Sequence, residues 1–250
     1  MLKEERQQLI LDKLNADKKV TLVQLGQLLS VSYDSIRRDI IELEDRGLLK
    51  KVHGGAIANS YLTMNADQGR GGLANTEFNI ITKKALRLIE NHRIILMDGG
   101  TTNYHIAAQL PKSLEVTIVT NNPHLAVVLA EHPKIDVILL GGTFYKRYQI
   151  TMGSKTLQDL SQLHVDLYFM GVNGIHPEKG LSIRQFEESI LKQKMMSVST
   201  KTVTCLIEEK INSVENYKVC DLEAVGGIIT SLSTDHPMLD AFVKKGAKLY

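Results

Sequence analysis

Apolar residues recur at helical spacing in the first part of the chain and in short unbroken runs further on, so two kinds of architecture are predicted in sequence. Leu9, Ile10 and Leu14 mark one face of a helix over residues 3–14. Thr21 with Gln24 three residues later forms a capping-box pattern, and Val20 with Leu25 forms a hydrophobic staple, so a second helix starts at Thr21. Leu22, Leu25, Leu28 and Leu29 are its expected buried stripe. Ser30-Val31-Ser32 is a tight connection ending on a residue that can cap a third helix, on which Ile36, Ile40 and Leu43 face the core. Two short helices so joined read as a helix-turn-helix. A strand over 48–52 then runs into Gly54-Gly55. Small polar residues with little periodicity follow, and beyond them an amphipathic helix is expected over 77–90. Apolar runs at 93–97, 116–119 and 135–140 alternate with helical stretches, the pattern of a Rossmann-like parallel sheet covered on both faces.

The outward face of the third helix follows by subtraction. Asp34, Arg38 and Ile41 point away from the core, with Tyr33 and Arg37 on one flank and Ser35 on the other. Arg38 can grip a guanine edge or a phosphate with two parallel hydrogen bonds, and Ser32, Tyr33 and Ser35 sit near a helix N-terminus, where backbone amides favour phosphate. Asp34 is repelled by phosphate unless it accepts from a cytosine amine. Lys50, Lys51 and His53 give the following strand cationic reach, as a wing beside a DNA groove would need. Net charge does not carry this reading: 30 Lys and Arg against 28 Asp and Glu leave +2, and residues 1–60 hold ten against nine. The placement of the charges carries it.

Composition excludes little else. Cys205 and Cys220 form no Cys-x-x-Cys pair, and the charged N-terminus and the lack of a long apolar run imply a reduced, cytoplasmic protein without a membrane span. The eight histidines lack the spacing of a zinc site, so no metal is expected. The absence of Gly-x-Gly-x-x-Gly and Walker-type motifs disfavours a nucleotide cofactor.

Three loops after the apolar runs repeat one chemistry: Asp98-Gly99-Gly100-Thr101-Thr102, Thr120-Asn121-Asn122-Pro123 and Gly141-Gly142-Thr143. In open parallel sheets the ligand crevice lies outside the carboxyl ends of the strands, and glycine amides with threonine and asparagine donors suit a small phosphorylated ligand. Each loop also has a plainer reading. Asp98-Gly99-Gly100 forms a turn, and Asn122 with Pro123 forms a helix cap with Pro at its first position.

Ser35-Ile36-Arg37-Arg38-Asp39-Ile40, Leu43-Glu44, Gly47-Leu48-Leu49 and Val52-His53-Gly54-Gly55-Ala56 resemble the DNA-binding signature of the DeoR family of bacterial transcription regulators. The second half resembles that family's sensor domain, itself related in fold to ribose-5-phosphate isomerase, through the loops above and Gly153, Asp166, Gly171 and Gly180-Leu181. The resemblance implies a winged helix-turn-helix over 1–57, a linker over 58–76 and a sensor over 77–250. It implies a repressor of carbohydrate-metabolism genes acting as a homodimer or homotetramer on double-stranded operator DNA, with a phosphorylated sugar as effector. By this likeness Asp98 orients sugar hydroxyls, Gly100, Thr101 and Thr102 hold phosphate, and Thr120, Asn121, Gly141 and Gly142 close the pocket. Lys192, four residues after Glu188, meets the anion in this reading, where otherwise the two form a surface ion pair. Two departures stand out: Glu77-Phe78 opens the helix after the linker, and Glu208-Glu209-Lys210 replaces the usual Asp-x-Ser-Lys loop. The alternative is an isomerase-like enzyme with an appended helix-turn-helix, but no carboxylate beyond Asp98 offers itself as the general base such chemistry needs.

Overall fold

Thr21 acts as its spacing from Gln24 predicts. Its hydroxyl accepts from Gln24 N at 3.1 Å while the Gln24 side chain accepts from Thr21 N at 2.9 Å, closing the capping box at the start of a helix. The computed structural model describes residues 3–17, 19–45, 48–52, 54–58 and 73–250, and the chain divides into two compact units, 1–70 and 71–250. The first unit contains α1 (Lys3–Asp17), α2 (Leu22–Leu29) and α3 (Tyr33–Asp45), with a small antiparallel sheet made of β1 (Lys19–Thr21), β2 (Leu49–Val52) and β3 (Gly55–Ala58) in the order β1-β3-β2. Ile10, Leu14, Val20, Leu25, Ile36, Ile40 and Leu43 share one core.

Two expected core positions in this unit are wrong. Leu9 and Leu28 are exposed, Leu28 by 56%, while Gln7 and Gly26 are buried in α1 and α2. The reason is the width of the buried stripe: helices this short turn only a narrow face to a small core, and an apolar neighbour one position off that face stays in solvent. β1 is an element the pattern did not reveal, because three residues with a single buried position, Val20, carry no alternation.

The second unit opens with α4 (Leu73–Leu86), four residues earlier at each end than expected, since Asn75 and Thr76, read as linker, already form helix. Of the expected linker over 58–76, residues 59–72 lie outside the described residues. Six strands follow in one parallel sheet: β4 (Ile94–Met97), β5 (Val116–Thr120), β6 (Ile135–Leu139), β9 (Val165–Met170), β12 (Ser199–Leu206) and β14 (Ile228–Thr230), in the order β14-β12-β9-β4-β5-β6. Between β6 and β9 run the hairpin β7 (Thr143–Tyr145) and β8 (Ile150–Met152) and then α7 (Ser154–Leu160). β10 (Gly174–His176), β11 (Gly180–Ile183) and β13 (Tyr217–Cys220) form a separate antiparallel sheet.

Alternation along the parallel strands sorts their side chains into two cores. Ile95, Met97, Leu167, Phe169, Val203 and Cys205 face one side, packed with Phe78 and Ile81 of α4, Ile106 of α5 (Thr101–Ala108) and Leu125 of α6 (Pro123–Leu129). Leu96, Tyr168, Met170 and Leu206 face the other, packed with Leu160 of α7 and with Leu191 and Met195 of α8 (Phe186–Ser197). Both faces are thus covered, as a parallel sheet requires. The chain proceeds outward from β4 to β5 and β6, and from β9 in the opposite direction to β12 and β14. The order therefore reverses between β4 and β9, and that switch point is where such sheets open a crevice at their carboxyl ends.

Candidate functional site

In the first unit the candidate DNA face is α3. Ile36, Ile40 and Leu43 turn inward, which leaves Tyr33, Asp34, Arg37 and Arg38 exposed and Ser35 half-buried. Ser32 caps the helix, its hydroxyl lying 3.4 Å from Ser35 N and 3.0 Å from Ser35 Oγ. Asp39, which the outward-face argument passed over, is 1% exposed and holds α1 to α3: Arg6 Nε donates to it at 2.5 Å and Arg6 Nη2 at 3.1 Å. The charge pair fixes how far Arg37 and Arg38 stand from the core, so Asp39 positions the face rather than joining it.

The wing is the β2–β3 hairpin, tied to the start of α2 by Leu22 N donating to Gly54 O at 2.9 Å. Lys51 is exposed and its backbone N–H donates to Glu44 Oε1 at 2.9 Å. The Lys50 side chain and all of His53 lie outside the described residues. Arg37 and Lys51 border a cleft of about 280 Å³ between helix and wing, floored by Leu22 and Ile40. Two cations flanking one recess suit a phosphate backbone.

In the second unit the expected loops meet at the carboxyl edge of the sheet. Gly99 N donates to Asn121 Oδ1 at 3.2 Å, Asn121 Nδ2 donates to Thr151 O at 3.0 Å, and Thr151 Oγ1 donates to Leu140 O at 2.6 Å. The ends of β4, β5 and β6 are thereby tied together, next to Gly141, whose carbonyl accepts from Thr156 Oγ1 at 2.6 Å, and Gly142. Thr120 is buried and accepts Asn122 N at 3.0 Å. Asn122 takes its plainer role, accepting His124 N at 3.0 Å as the cap of α6.

The start of α5 differs. Gly100 precedes it with φ +149° and provides no side-chain cap, so the amides of the first turn, at Thr101 and Thr102, have no capping side chain. An uncapped helix N-terminus beside glycine is an anion seat by both hydrogen bonding and dipole. Thr101 is half-buried and Gly100 is exposed, so the seat is accessible.

Beneath it lies a charge cluster of which spacing revealed only the Glu188–Lys192 pair, and that pair is buried rather than a surface ion pair. Asp98 and Lys192 are each 1% exposed and paired with each other, and Glu188 sits 3.3 Å from Lys192 Nζ. Asp98 also accepts from Tyr168 OH at 2.5 Å, Gly171 N at 3.0 Å and Asn103 Nδ2 at 2.9 Å. A Cβ at Gly171 would stand 3.0 Å from Asp98 Oδ1 and 3.2 Å from Gly99 O, so a side chain there would crowd the carboxylate. Asp98 therefore bridges β4, β9, α5 and α8 across the switch point, with both its oxygens engaged. Burial drives the Lys192 ammonium down, but Asp98 and Glu188 together outweigh it and hold the group above the usual lysine range. Burial pushes the Glu188 carboxyl above its ordinary value against the pull of Lys192, and pushes the Tyr168 hydroxyl well up, reinforced by Asp98. Asn103 was missed by sequence reasoning, though its place directly after the two threonines was a usable signal. Among the described residues, no group of three or more His, Cys, Asp or Glu could hold a metal, and no helix is long and apolar enough to cross a membrane.

A winged helix-turn-helix followed by a parallel-sheet domain whose glycine- and threonine-bearing loops gather at its switch point is the build of a DNA-binding regulator carrying a sensor. Residues 6–61 match the DeoR-like helix-turn-helix domain and residues 75–232 match the DeoR C terminal sensor domain, and the chain belongs to the DeoR family. It is similar to the HTH-type transcriptional repressor GlcR of Bacillus subtilis, 31% identical over 100% of this chain and 96% of that one. It is also similar to the L-fucose operon activator of Haemophilus influenzae, 27% identical over 91% of this chain and 92% of its relative. Among solved structures, ribose 5-phosphate isomerase A of Methanocaldococcus jannaschii matches 55% of this chain and 54% of its own at a TM-score of 0.39 and 14% identity. Relatives matching along nearly the whole length are transcription regulators, so the chain is a regulator and the isomerase alternative is set aside.

Proposed function

We propose that this regulator represses carbohydrate-metabolism genes and that a phosphorylated sugar changes its grip on the operator. The observation that carries the sensing half is the uncapped start of α5 at the reversal of strand order, where Gly100, Thr101 and Thr102 offer donors to a phosphate and Gly99, its amide held by Asn121, shapes the loop. Asn121, Gly141 and Gly142 border the same crevice, with Thr120 and Asn122 shaping the loop between. Asp98 and Lys192 act from beneath, holding the loop that seats the anion. Residues 1–57 carry DNA recognition, 58–76 the connection and 77–250 the sensing. On the DNA side, Arg38 reads a base edge while Ser32, Tyr33, Ser35, Arg37, Lys50, Lys51 and His53 follow the backbone and Asp34 discriminates against phosphate. Two-fold operators imply a homodimer or homotetramer. Repression is favoured because a relative spanning the whole chain is named a repressor, although another is named an activator.

The test joins both halves. A thermal-shift screen of sugar phosphates identifies a stabilising compound, and a gel-shift titration against the chain's own upstream DNA reads its effect on affinity. Arg38→Ala should weaken operator binding by about 1–3 kcal/mol, or roughly 5- to 150-fold, and leave the thermal response to the sugar intact. Unchanged operator affinity in that variant rejects α3 as the reading helix.

A further inference from the structure

We propose that Glu77 is a latch that ties the crevice to the first turns of α4 and that the hydroxyl-bearing end of the effector releases it, an inference that rests on the sensor reading above. Glu77 Oε1 accepts from Glu208 N at 3.2 Å and from Ser231 Oγ at 2.9 Å. These donors sit just beyond the carboxyl ends of β12 and β14, on the same edge of the sheet as the anion seat. β12 lies two strands from β4, so its end opens roughly 10 Å from the seat, within reach of the far end of a sugar phosphate. Glu77 and Ser231 are half-buried and Glu208 is exposed, so a ligand can reach all three.

The rest of α4 is held by other means. Phe78, Ile81 and Ala85 are buried in the core, and Lys84 Nζ donates to Thr230 O at 2.7 Å and Leu232 O at 3.0 Å. The helix thus has an anchored body, with Asn79 accepting from Gln109 Nε2 at 3.3 Å, while among the described residues Glu77 is the side chain that fastens its opening turns to the loops after β12 and β14. Ligand hydroxyl oxygens facing Glu208 N–H and the Ser231 hydroxyl compete with Glu77 for the same two donors. The Glu77 carboxylate suits hydroxyls and disfavours a second phosphate beside it, with the Lys84 ammonium occupied by the carbonyls on either side of Ser231. In chain order α4 is the first described element after the DNA-binding unit, so release at Glu77 acts on the segment that joins the two functions. Linkage then requires that loosening the latch tighten the ligand.

The experiment uses the full chain, with E77A and with E77Q, which keeps the side-chain size and an acceptor oxygen should E77A fail to fold. Dissociation constants are measured by calorimetry for glucose 6-phosphate, fructose 1-phosphate, ribose 5-phosphate and glycerol 3-phosphate, and operator affinity is measured with and without each. E77A should bind the sugar phosphate that wild type prefers roughly fivefold more tightly, E77Q, whose neutral oxygen accepts more weakly than a carboxylate, should shift the same way by a smaller factor, and the operator affinity of both should respond less to it. They should also discriminate less against glucose 1,6-bisphosphate relative to glucose 6-phosphate. A merely structural Glu77 lowers the melting temperature without moving these constants. If one of the compounds binds wild type but both variants match wild type in affinity and operator response, the latch is overturned while the sensor reading stands. If wild type binds none of them, the sensor reading fails and the latch falls with it.

Discussion

Glu188 has lost almost all contact with water, yet it sits beside a lysine whose charge is already matched by Asp98. With all three groups charged the buried cluster carries one excess negative charge, and burial makes Glu188 the natural group to relieve it by holding a proton. Because its folded carboxyl lies above the ordinary value of 4.5, the stability that Glu188 contributes is complete below that pH and is lost as pH rises through the raised folded value. Glu188→Gln cannot ionise, so it should gain on wild type in urea-denaturation stability as pH rises above 4.5, and stop gaining once the folded carboxyl has ionised. A constant difference as pH rises rejects the protonation argument. The sequence exposed only the four-residue spacing of Glu188 and Lys192, which equally fits a surface ion pair. That Lys192 is buried depends on Asp98, 94 positions earlier, and no local pattern reports a pairing across that distance. Asp39 was hidden for a similar reason: a carboxylate directly after two arginines gives no local sign of burial until Arg6 arrives from another helix.

Elements were legible wherever a period or a cap spoke for them. The capping box at Thr21, the inward face of α3 and the apolar runs of β4, β5 and β6 all act within one element, so the pattern contained them. β1, β10, β11 and β13 were not foreseen, since strands of three or four residues gain their stability from partners rather than from a repeat of their own. The start of α5 was legible as chemistry but not as geometry. Glycine at position 100 announces a turn, and only the backbone shows φ +149° and an absent side-chain cap. Alanine there meets no neighbour, so its whole cost is conformational. Gly100→Ala should therefore lose about 1–3 kcal/mol by urea denaturation, and, because relief of the strain re-aims the first-turn amides, should lose the thermal response to sugar phosphate as well. Full retention of that response would remove the helix start from the binding site.

At the scale of the whole molecule, the decisive feature is that, among the described residues, each unit has hydrophobic clusters of its own. Ile10, Leu25, Ile36 and Leu43 belong to one cluster, all from the first unit, while the two clusters flanking the parallel sheet draw only on residues beyond 71. A unit that contains its own core can in principle fold alone. A polypeptide of residues 71–250 should therefore fold cooperatively, bind no operator and keep the full stabilisation by sugar phosphate, about 2.7 kcal/mol at a ligand concentration one hundred times Kd. Calorimetry of the fragment and the full chain checks this, with equal dissociation constants expected if the loops after β4, β5 and β6 form the site unaided. Their mutual hydrogen bonds through Asn121 and Thr151 are all internal to this unit. A fragment that folds yet does not respond to a compound stabilising the full chain would mean that residues 1–70 complete the crevice. Sensing and DNA reading would then share a single surface and could not be two activities joined by a connection.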